Sequence, residues 1–337
     1  MGAREAGVLR QVGARALRPG SGVPTVAIAA VLALAALAPG AACAGGRDPA
    51  PELFKYYAPL AKVNRRPAPS LGARVQRWVM ISARGDSVFA LWRPANARVA
   101  RPWTAVLLGG FGTGDRTALL VPDDTTFNTL GVNWPWRGET RLTPAEFAVQ
   151  LPAIQRACMR SPAILALGAE AVARTPGVDP TRVVLVGASL GVAPALAALR
   201  LTSVPDALVL MDGGADIELM IRAALEHEGW PGPAAAASAA GAYQWLWPLE
   251  PVLNAPPAAR LPVLLLNTTS DQRIPRASID KLRASLPHAA VRWRSGPHIQ
   301  PSQRDVIERL TRDVLAWLRA TEPPPGAKPR AALSDSR

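Results

Sequence analysis

The chain has 337 residues, of which 49% are hydrophobic and 19% charged, with 38 Lys and Arg against 25 Asp and Glu. This is enough apolar material for a large core, and two cysteines are too few for a disulfide framework or a four-cysteine zinc site. The basic residues are scattered and form no dense run, so the net charge of +13 predicts a basic surface and no nucleic-acid partner.

Residues 1–44 have the pattern of an export signal. Scattered arginines precede an apolar run from Val23 to Leu37, and Ala42-Cys43-Ala44 has the small-x-small form of a signal peptidase site. The run is shorter than the ~20 residues that a spanning helix needs. We therefore expect an exported protein, periplasmic or secreted. Two alternatives stay open: lipidation of Cys43, which would tie an envelope protein to the membrane, and an uncleaved anchor.

The remaining chain divides by composition into three parts. Residues 45–72 are rich in proline, have no clear period and predict an N-terminal arm that either lies along the surface or is loose. Residues 321–337 are Pro-rich and polar and predict a disordered tail. Residues 73–320 lie between them and suit a single domain.

Two β-rich runs and six short apolar runs follow in the domain. Arg74 to Ile81 and Val88 to Trp92 predict a hairpin. The apolar runs are Thr104 to Leu108, Leu130 to Asn133, Arg182 to Val186, Ala207 to Met211, Pro262 to Leu266 and Ala290 to Trp293. They alternate with helical patterns, which predicts an α/β fold whose central sheet is mostly parallel and has helices on both faces. Pro144 to Arg174 predicts a helix broken near Pro162, and Gln303 to Arg319 an amphipathic closing helix.

The segment at about 213–261 is too long for a simple crossover and predicts a small helical cap insertion over the pocket. Five tryptophans fall in loops near the expected site: Trp134, Trp136, Trp230, Trp245 and Trp247. They form either an aromatic pocket wall or the packing of the cap onto the core.

Gly187-Ala188-Ser189-Leu190-Gly191 follows an apolar strand and opens a helix. This is the context of a nucleophile elbow, in which flanking glycines allow a sharp turn that presents the serine beside a helix N-terminus. The backbone N–H of Leu190 is then one donor of an oxyanion hole, and the loop after Leu108 is expected to supply another.

Asp271 and His298 each follow a later strand, so the chain order is nucleophile, acid, base. Asp212 and Asp216 are rival acids after the strand that ends at Met211. His227 is expected at a solvated helix end, and His288 lies at the opposite end of its strand, so His298 is the preferred base.

On these motifs, residues 74–320 resemble an α/β-hydrolase. The resemblance covers the elbow Gly187 to Gly191, the acid loop with Asp271 and Pro275, and the histidine loop Gly296-Pro297-His298. Many members have His-Gly in the oxyanion loop, where this chain has Gly109-Gly110. The family alignment implies that Phe111 supplies the second oxyanion N–H.

The sequence therefore predicts an exported serine hydrolase that cleaves a carboxylic ester through an acyl-enzyme. An aminopeptidase-like hydrolase and a catalytically inactive hydrolase fold that serves as an envelope binding protein are the alternatives. We expect no metal or other cofactor, because no ligand cluster or nucleotide fingerprint occurs. The expected partner is a small ester or peptide substrate; the sequence does not specify an oligomeric state.

Overall fold

The structure is a computed structural model that describes residues 47–96, 100–110, 112–123, 126–136, 138 and 144–321, without the side chains of residues 144–148. Its centre is a sheet whose strands lie in the order β1-β2-β3-β5-β4-β6-β7-β8-β9. The strands are β1 (Leu60–Pro67), β2 (Gln76–Ser82), β3 (Ser87–Arg93), β4 (Thr104–Leu108), β5 (Asn128–Val132), β6 (Val183–Ala188), β7 (Ala207–Met211), β8 (Val263–Thr268) and β9 (Ala290–Arg294).

The first strands pair antiparallel, from β1 through β2 and β3 to β5, and the pairs from β5 through β4 to β9 are all parallel. The helices are α1 (Ala50–Phe54), α2 (Thr117–Leu120), α3 (Pro144–Ala173), α4 (Val192–Ala198), α5 (Ile217–His227), α6 (Gly232–Leu246), α7 (Pro251–Asn254), α8 (Arg276–Ser285) and α9 (Arg304–Thr321). The predicted fold class is therefore confirmed.

Side chains that alternate along the central strands divide the apolar core between two faces of the sheet. Leu185 of β6 packs with Leu165 of α3 and Leu196 of α4 on one face. Val186, the next residue, packs with Leu310 of α9 on the other face. Since both faces are covered by helices, β6 can be apolar throughout, which explains why the sequence shows a continuous apolar run.

The N-terminal segment is more ordered than its composition indicates. The sequence predicts an arm along the surface or a loose arm for residues 45–72; in the structure β1, within this segment, pairs antiparallel with β2 and extends the sheet at its edge. The carboxylate of Glu170, on α3, accepts hydrogen bonds from the backbone N–H of Leu60 (2.9 Å) and from the hydroxyl of Tyr57. Most side chains of β1 are exposed and half are polar, so the sequence carries no apolar alternation that would reveal this strand.

The expected break in the long helix is wrong, because α3 continues through Pro162. Proline lacks the N–H that would bond to the carbonyl of Cys158, four residues earlier. The hydroxyl of Ser161 donates to that carbonyl at 2.5 Å and satisfies it. Burial of this part of α3 against the sheet then favours the continuous helix.

The predicted helical insertion is present between β7 and β8, where α5 and α6 pack against each other. Its apolar side chains, among them Ile217 and Tyr243, join the core face that contains α3 and α4. Buried Glu250 accepts hydrogen bonds from the backbone N–H groups of Asp216 (2.8 Å) and Ile217 (2.9 Å) at the start of α5. These contacts fix the insertion to the domain.

No helix in the described part of the chain is both long and apolar enough to cross a membrane. The expected export signal, Cys43 and the tail after Thr321 all lie outside the described residues.

Asp206, which precedes β7, should make stability depend on pH. Burial raises the pKa of its carboxyl to about 6, the N–H of Val183 opposes this rise and the charge of Asp179 adds to it. A raised folded-state pKa means that the carboxyl is destabilising when ionised, so its cost appears as pH rises through about 4 to 6. Asp206→Asn should raise Tm at pH 8 and leave it almost unchanged at pH 4. Scanning calorimetry at both pH values checks this; an equal effect at both would contradict it.

Candidate active site

Ser189 lies at the sharp turn that follows β6. It has a left-handed backbone conformation (φ 55°), which is unusual for a residue with a side chain. A Cβ at Gly187 would lie 2.5 Å from the carbonyl oxygen of Gly191, and a Cβ at Gly191 would lie 2.0 Å from the carbonyl oxygen of Leu108. The turn can therefore form only with glycine at both flanking positions, as the sequence motif predicts.

The structure brings Ser189, His298 and Asp271 into one hydrogen-bonded chain. Nε2 of His298 lies 2.8 Å from Oγ of Ser189, and Nδ1 lies 2.8 Å from Oδ2 of Asp271. Their positions follow from the sheet, because the parallel strands β6, β8 and β9 all end at the same edge. His298 is only 3% exposed, so its imidazole is held with its two nitrogens already directed at the serine and the acid.

Asp271 is in an environment that favours its ionised form. Burial acts to raise the pKa of this carboxyl, but hydrogen bonds from His298 and from the backbone N–H groups of Ile274 and Arg273 outweigh it and lower the pKa below its ordinary value. Those N–H groups donate to Oδ1 at 2.9 and 2.8 Å, which leaves Oδ2 for the histidine. A carboxylate in this state can orient an imidazole and stabilise its protonated form.

Asp212, the rival acid, lies close by but has different partners. Its Oδ2 accepts from the guanidinium of Arg294 and, at 2.8 Å, from the backbone N–H of Ile299. Arg294 and Ile299 bracket the loop that carries His298, and Asp212 is 2% exposed with a φ of 45°. Asp212 therefore fixes the histidine loop at both ends, and sequence reasoning missed the participation of Arg294.

Asp212, Asp271 and His298 each direct one potential ligand atom into a space where all three atoms lie within 4.8 Å of one another. Such a group could hold a metal ion. Here the hydrogen bonds already account for the arrangement, since His298 uses both nitrogens and Asp212 is neutralised by the cation of Arg294. The donor set therefore suits proton transfer better than metal binding.

The other candidates lie away from the serine. His227 is exposed in the last turn of α5, and His288 is exposed with Nε2 3.1 Å from the carbonyl oxygen of Ala258. Asp216 accepts a hydrogen bond from the N–H of Leu219 at the start of α5 and pairs with Lys281 at 2.8 Å. None of these three side chains is a partner of Ser189 in the structure, and each has a local contact or a surface position instead.

The oxyanion hole stays a prediction. Leu190 directly follows Ser189 in the turn at the start of α4, whereas Phe111 lies outside the described residues. The indole N–H of Trp134, at the end of β5, donates to the carbonyl of Gly109 at 2.9 Å. This buried tryptophan therefore holds the glycine loop, a role that the sequence could not show because it does not give the order of β4 and β5 in the sheet.

A cavity of about 420 Å³ opens beside Ser189 and His298. None of the five tryptophans lines it, and neither does any residue of the insertion at 213–261. The cap is therefore not over this cavity, and among the described residues its wall is not aromatic. The reason is that α5 and α6 pack on the α3 face, whereas Ile307 and Leu310 of α9 form the cavity wall on the opposite face.

No family model matches the sequence, and no curated protein matches it. Solved structures do resemble it. A puromycin-hydrolysing peptidase of Mycobacterium tuberculosis has a TM-score of 0.55 at 20% identity, over 79% of this chain and 41% of the peptidase. An acetyl xylan esterase from Paenibacillus sp. R4 has a TM-score of 0.52 at 17% identity, over 83% of this chain and 98% of the esterase.

A structure described in a study of two prolyl endopeptidases has a TM-score of 0.52 at 17% identity and is covered over 38% of its length. This chain thus spans about two fifths of the two peptidases and nearly all of the esterase. At these identities the likeness concerns the fold alone, and it shows that the chain has the α/β-hydrolase fold that its motifs indicate.

The elbow supplies a steric test. Gly191→Ala should reduce stability and abolish reaction with a fluorophosphonate probe, because the new methyl group would overlap the carbonyl of Leu108. Gly232→Ala is the matched control, since a Cβ there has only a side-chain oxygen at 3.8 Å and should change the free energy of unfolding by less than about 0.5 kcal/mol. Thermal melts and probe labelling measure both. Full labelling of Gly191→Ala would show that the turn differs from this geometry.

Substitution should distinguish the catalytic role of Asp271 from the structural role of Asp212. Asp271→Asn should keep the fold but lower kcat by about 10⁴-fold, because the amide cannot orient the imidazole tautomer correctly. Asp212→Asn should mainly lower stability, by about 3 kcal/mol, because it leaves the cation of Arg294 without its buried partner. Steady-state kinetics and denaturant unfolding of both variants test this. If Asp212→Asn is the one that loses most kcat at unchanged stability, the acid is misassigned.

Proposed function

We propose that this protein is an exported serine hydrolase that cleaves carboxylic esters through an acyl-enzyme. The observation that carries the proposal is the chain of two 2.8 Å contacts from Ser189 through His298 to Asp271. A serine hydroxyl is a weak nucleophile until a base removes its proton, and the base must in turn be oriented by a third group.

In this mechanism Oγ of Ser189 attacks the ester carbonyl while Nε2 of His298 takes its proton. The carbonyl π electrons move to oxygen, and the N–H of Leu190 and a second N–H in the glycine loop stabilise that charge; Phe111 remains the sequence-based candidate for the second donor. His298 then gives the proton to the leaving alcohol as the tetrahedral intermediate collapses. Water, deprotonated by His298, hydrolyses the acyl-enzyme in the same way and restores Ser189.

An ester is a better fit than the substrate of an aminopeptidase. An aminopeptidase recognises a free ammonium group, for which a carboxylate is the natural partner. No Asp or Glu lines the cavity in the described part of the chain, and the charged side chain that does line it is Arg273, a cation. This charge pattern disfavours an ammonium group beside Ser189.

The catalytically inactive alternative would be favoured if one contact of the hydrogen-bonded chain were broken, and both contacts are present. Ser189 and His298 also line an open cavity beside the serine.

Export remains part of the proposal on the basis of the N-terminal pattern alone. Mass spectrometry of the protein recovered outside the cytoplasm would determine whether it begins at Gly45 or at a modified Cys43.

A fluorophosphonate probe tests the proposed activity directly. The protein should label rapidly at Ser189 and hydrolyse p-nitrophenyl acetate, and Ser189→Ala should lose both reactions while keeping its Tm, because only one hydroxyl group is removed. The matched control is Ser285→Ala, which removes a hydroxyl that donates only to the carbonyl of Leu282 on α8. If the unaltered protein labels no faster than Ser189→Ala, the inactive binding protein is favoured.

A further inference from the structure

The cavity beside Ser189 is lined mainly by aliphatic side chains, and the proposed function does not yet explain this lining. It lies where the ends of β4, β6 and β7 face α2 and α9. The aliphatic residues that line it are Leu107, Leu108, Leu120, Val121, Val186, Met211, Ile299, Ile307 and Leu310. Its volume of about 420 Å³ is in the range of cavities that bind small organic ligands.

The polar groups of the wall do not alter this apolar character. The hydroxyls of Thr113, Thr117 and Thr311 line the cavity, but each donates its hydrogen to a nearby backbone carbonyl, at 2.8, 2.7 and 2.8 Å respectively. These three hydroxyls therefore have no hydrogen left to donate to a ligand, and water next to the aliphatic part of the wall would have few partners there. An aliphatic group gains free energy by replacing such water.

Resting on the proposed esterase function, we propose that this cavity binds an aliphatic acyl chain and makes the enzyme selective for medium-chain acyl esters. The acyl group is the part of the substrate that stays bonded to Ser189 after the alcohol leaves. An apolar cavity beside that serine can hold the acyl chain through both steps. The alcohol takes a proton from His298 and leaves after the first step, so it needs no such binding site.

Arg273 provides a competing possibility for the ligand of this cavity. The guanidinium of Arg273 is exposed, lines the cavity and has no ion-pair partner among the described residues. A cation there could select an acyl group that ends in a carboxylate. The aliphatic wall is much more extensive than this one charge, so we expect neutral chains to be preferred.

The test compares two ester series. In the first, p-nitrophenyl esters carry acyl chains from acetyl to decanoyl; in the second, the acyl group is butanoyl and the alcohol varies from methyl to octyl. The ratio kcat/KM should rise by up to about four-fold per methylene in the acyl series, the factor equivalent to about 0.8 kcal/mol, until the cavity is full. It should change little in the alcohol series. The p-nitrophenyl hemisuccinate should be a poorer substrate than the butanoyl ester.

Leu120→Trp places an indole in the cavity and should lower the ratio of octanoyl to acetyl activity at least ten-fold. Val291→Trp, on the exposed edge strand β9, is the matched control and should keep the ratio. Tm and fluorophosphonate labelling are measured on both variants, so a misfolded protein is recognised. A second measurement does not depend on the folding of a variant. The affinity of the unaltered protein for n-alkyl boronic acids is measured, and it should increase with the length of the alkyl chain.

Three results would overturn the assignment of the cavity: no dependence on acyl length, a dependence on the alcohol instead, or preference for the hemisuccinate. Each of these can occur in a protein that labels rapidly at Ser189, so the proposed hydrolase function would survive. Failure of labelling together with absent turnover of every ester would reject the function itself.

Discussion

The close contact between Gly191 and the end of β4 is the constraint on which the site depends. Because a side chain at Gly191 would collide with the carbonyl of Leu108, the start of α4 lies directly against the strand that leads into the glycine loop. The same turn forces Ser189 into a left-handed conformation at the exposed edge of the sheet. Nucleophile and glycine loop are thus positioned by one backbone contact, and the hydrogen bond from Trp134 to Gly109 holds that loop from the β5 side.

The charges around His298 are divided between two buried acids. Asp271 receives two backbone N–H groups and the imidazole, which together keep its pKa low despite burial. Asp212 receives Arg294 and the N–H of Ile299, so its charge is compensated inside the protein. One acid can therefore serve the imidazole while the other holds the loop, and the cost of burying two carboxylates beside one histidine is offset by specific donors.

The insertion and the cavity lie on opposite faces of the sheet. The insertion with α5 and α6 packs on the face of α3 and α4, and the cavity lies on the face of α9. An amphipathic closing helix usually completes a core, and here its residues Ile307 and Leu310 also form a wall of the cavity. Substrate selectivity in the proposed enzyme would then depend on the C-terminal helix more than on the insertion.

The local patterns of the sequence determined the continuous apolar strands, the elbow, and the loops in which the candidate acid and base lie, since each of these features occupies a short stretch of the chain. Tertiary structure decided the rest. β1 is a polar edge strand whose pairing with β2 no periodicity reveals, and α3 continues past Pro162 because this part of the helix is buried against the sheet. The partners of Asp212, the role of Trp134 and the face on which the cavity opens depend on which strands are neighbours and which face each helix covers. These are long-range contacts, so no window of sequence contains them.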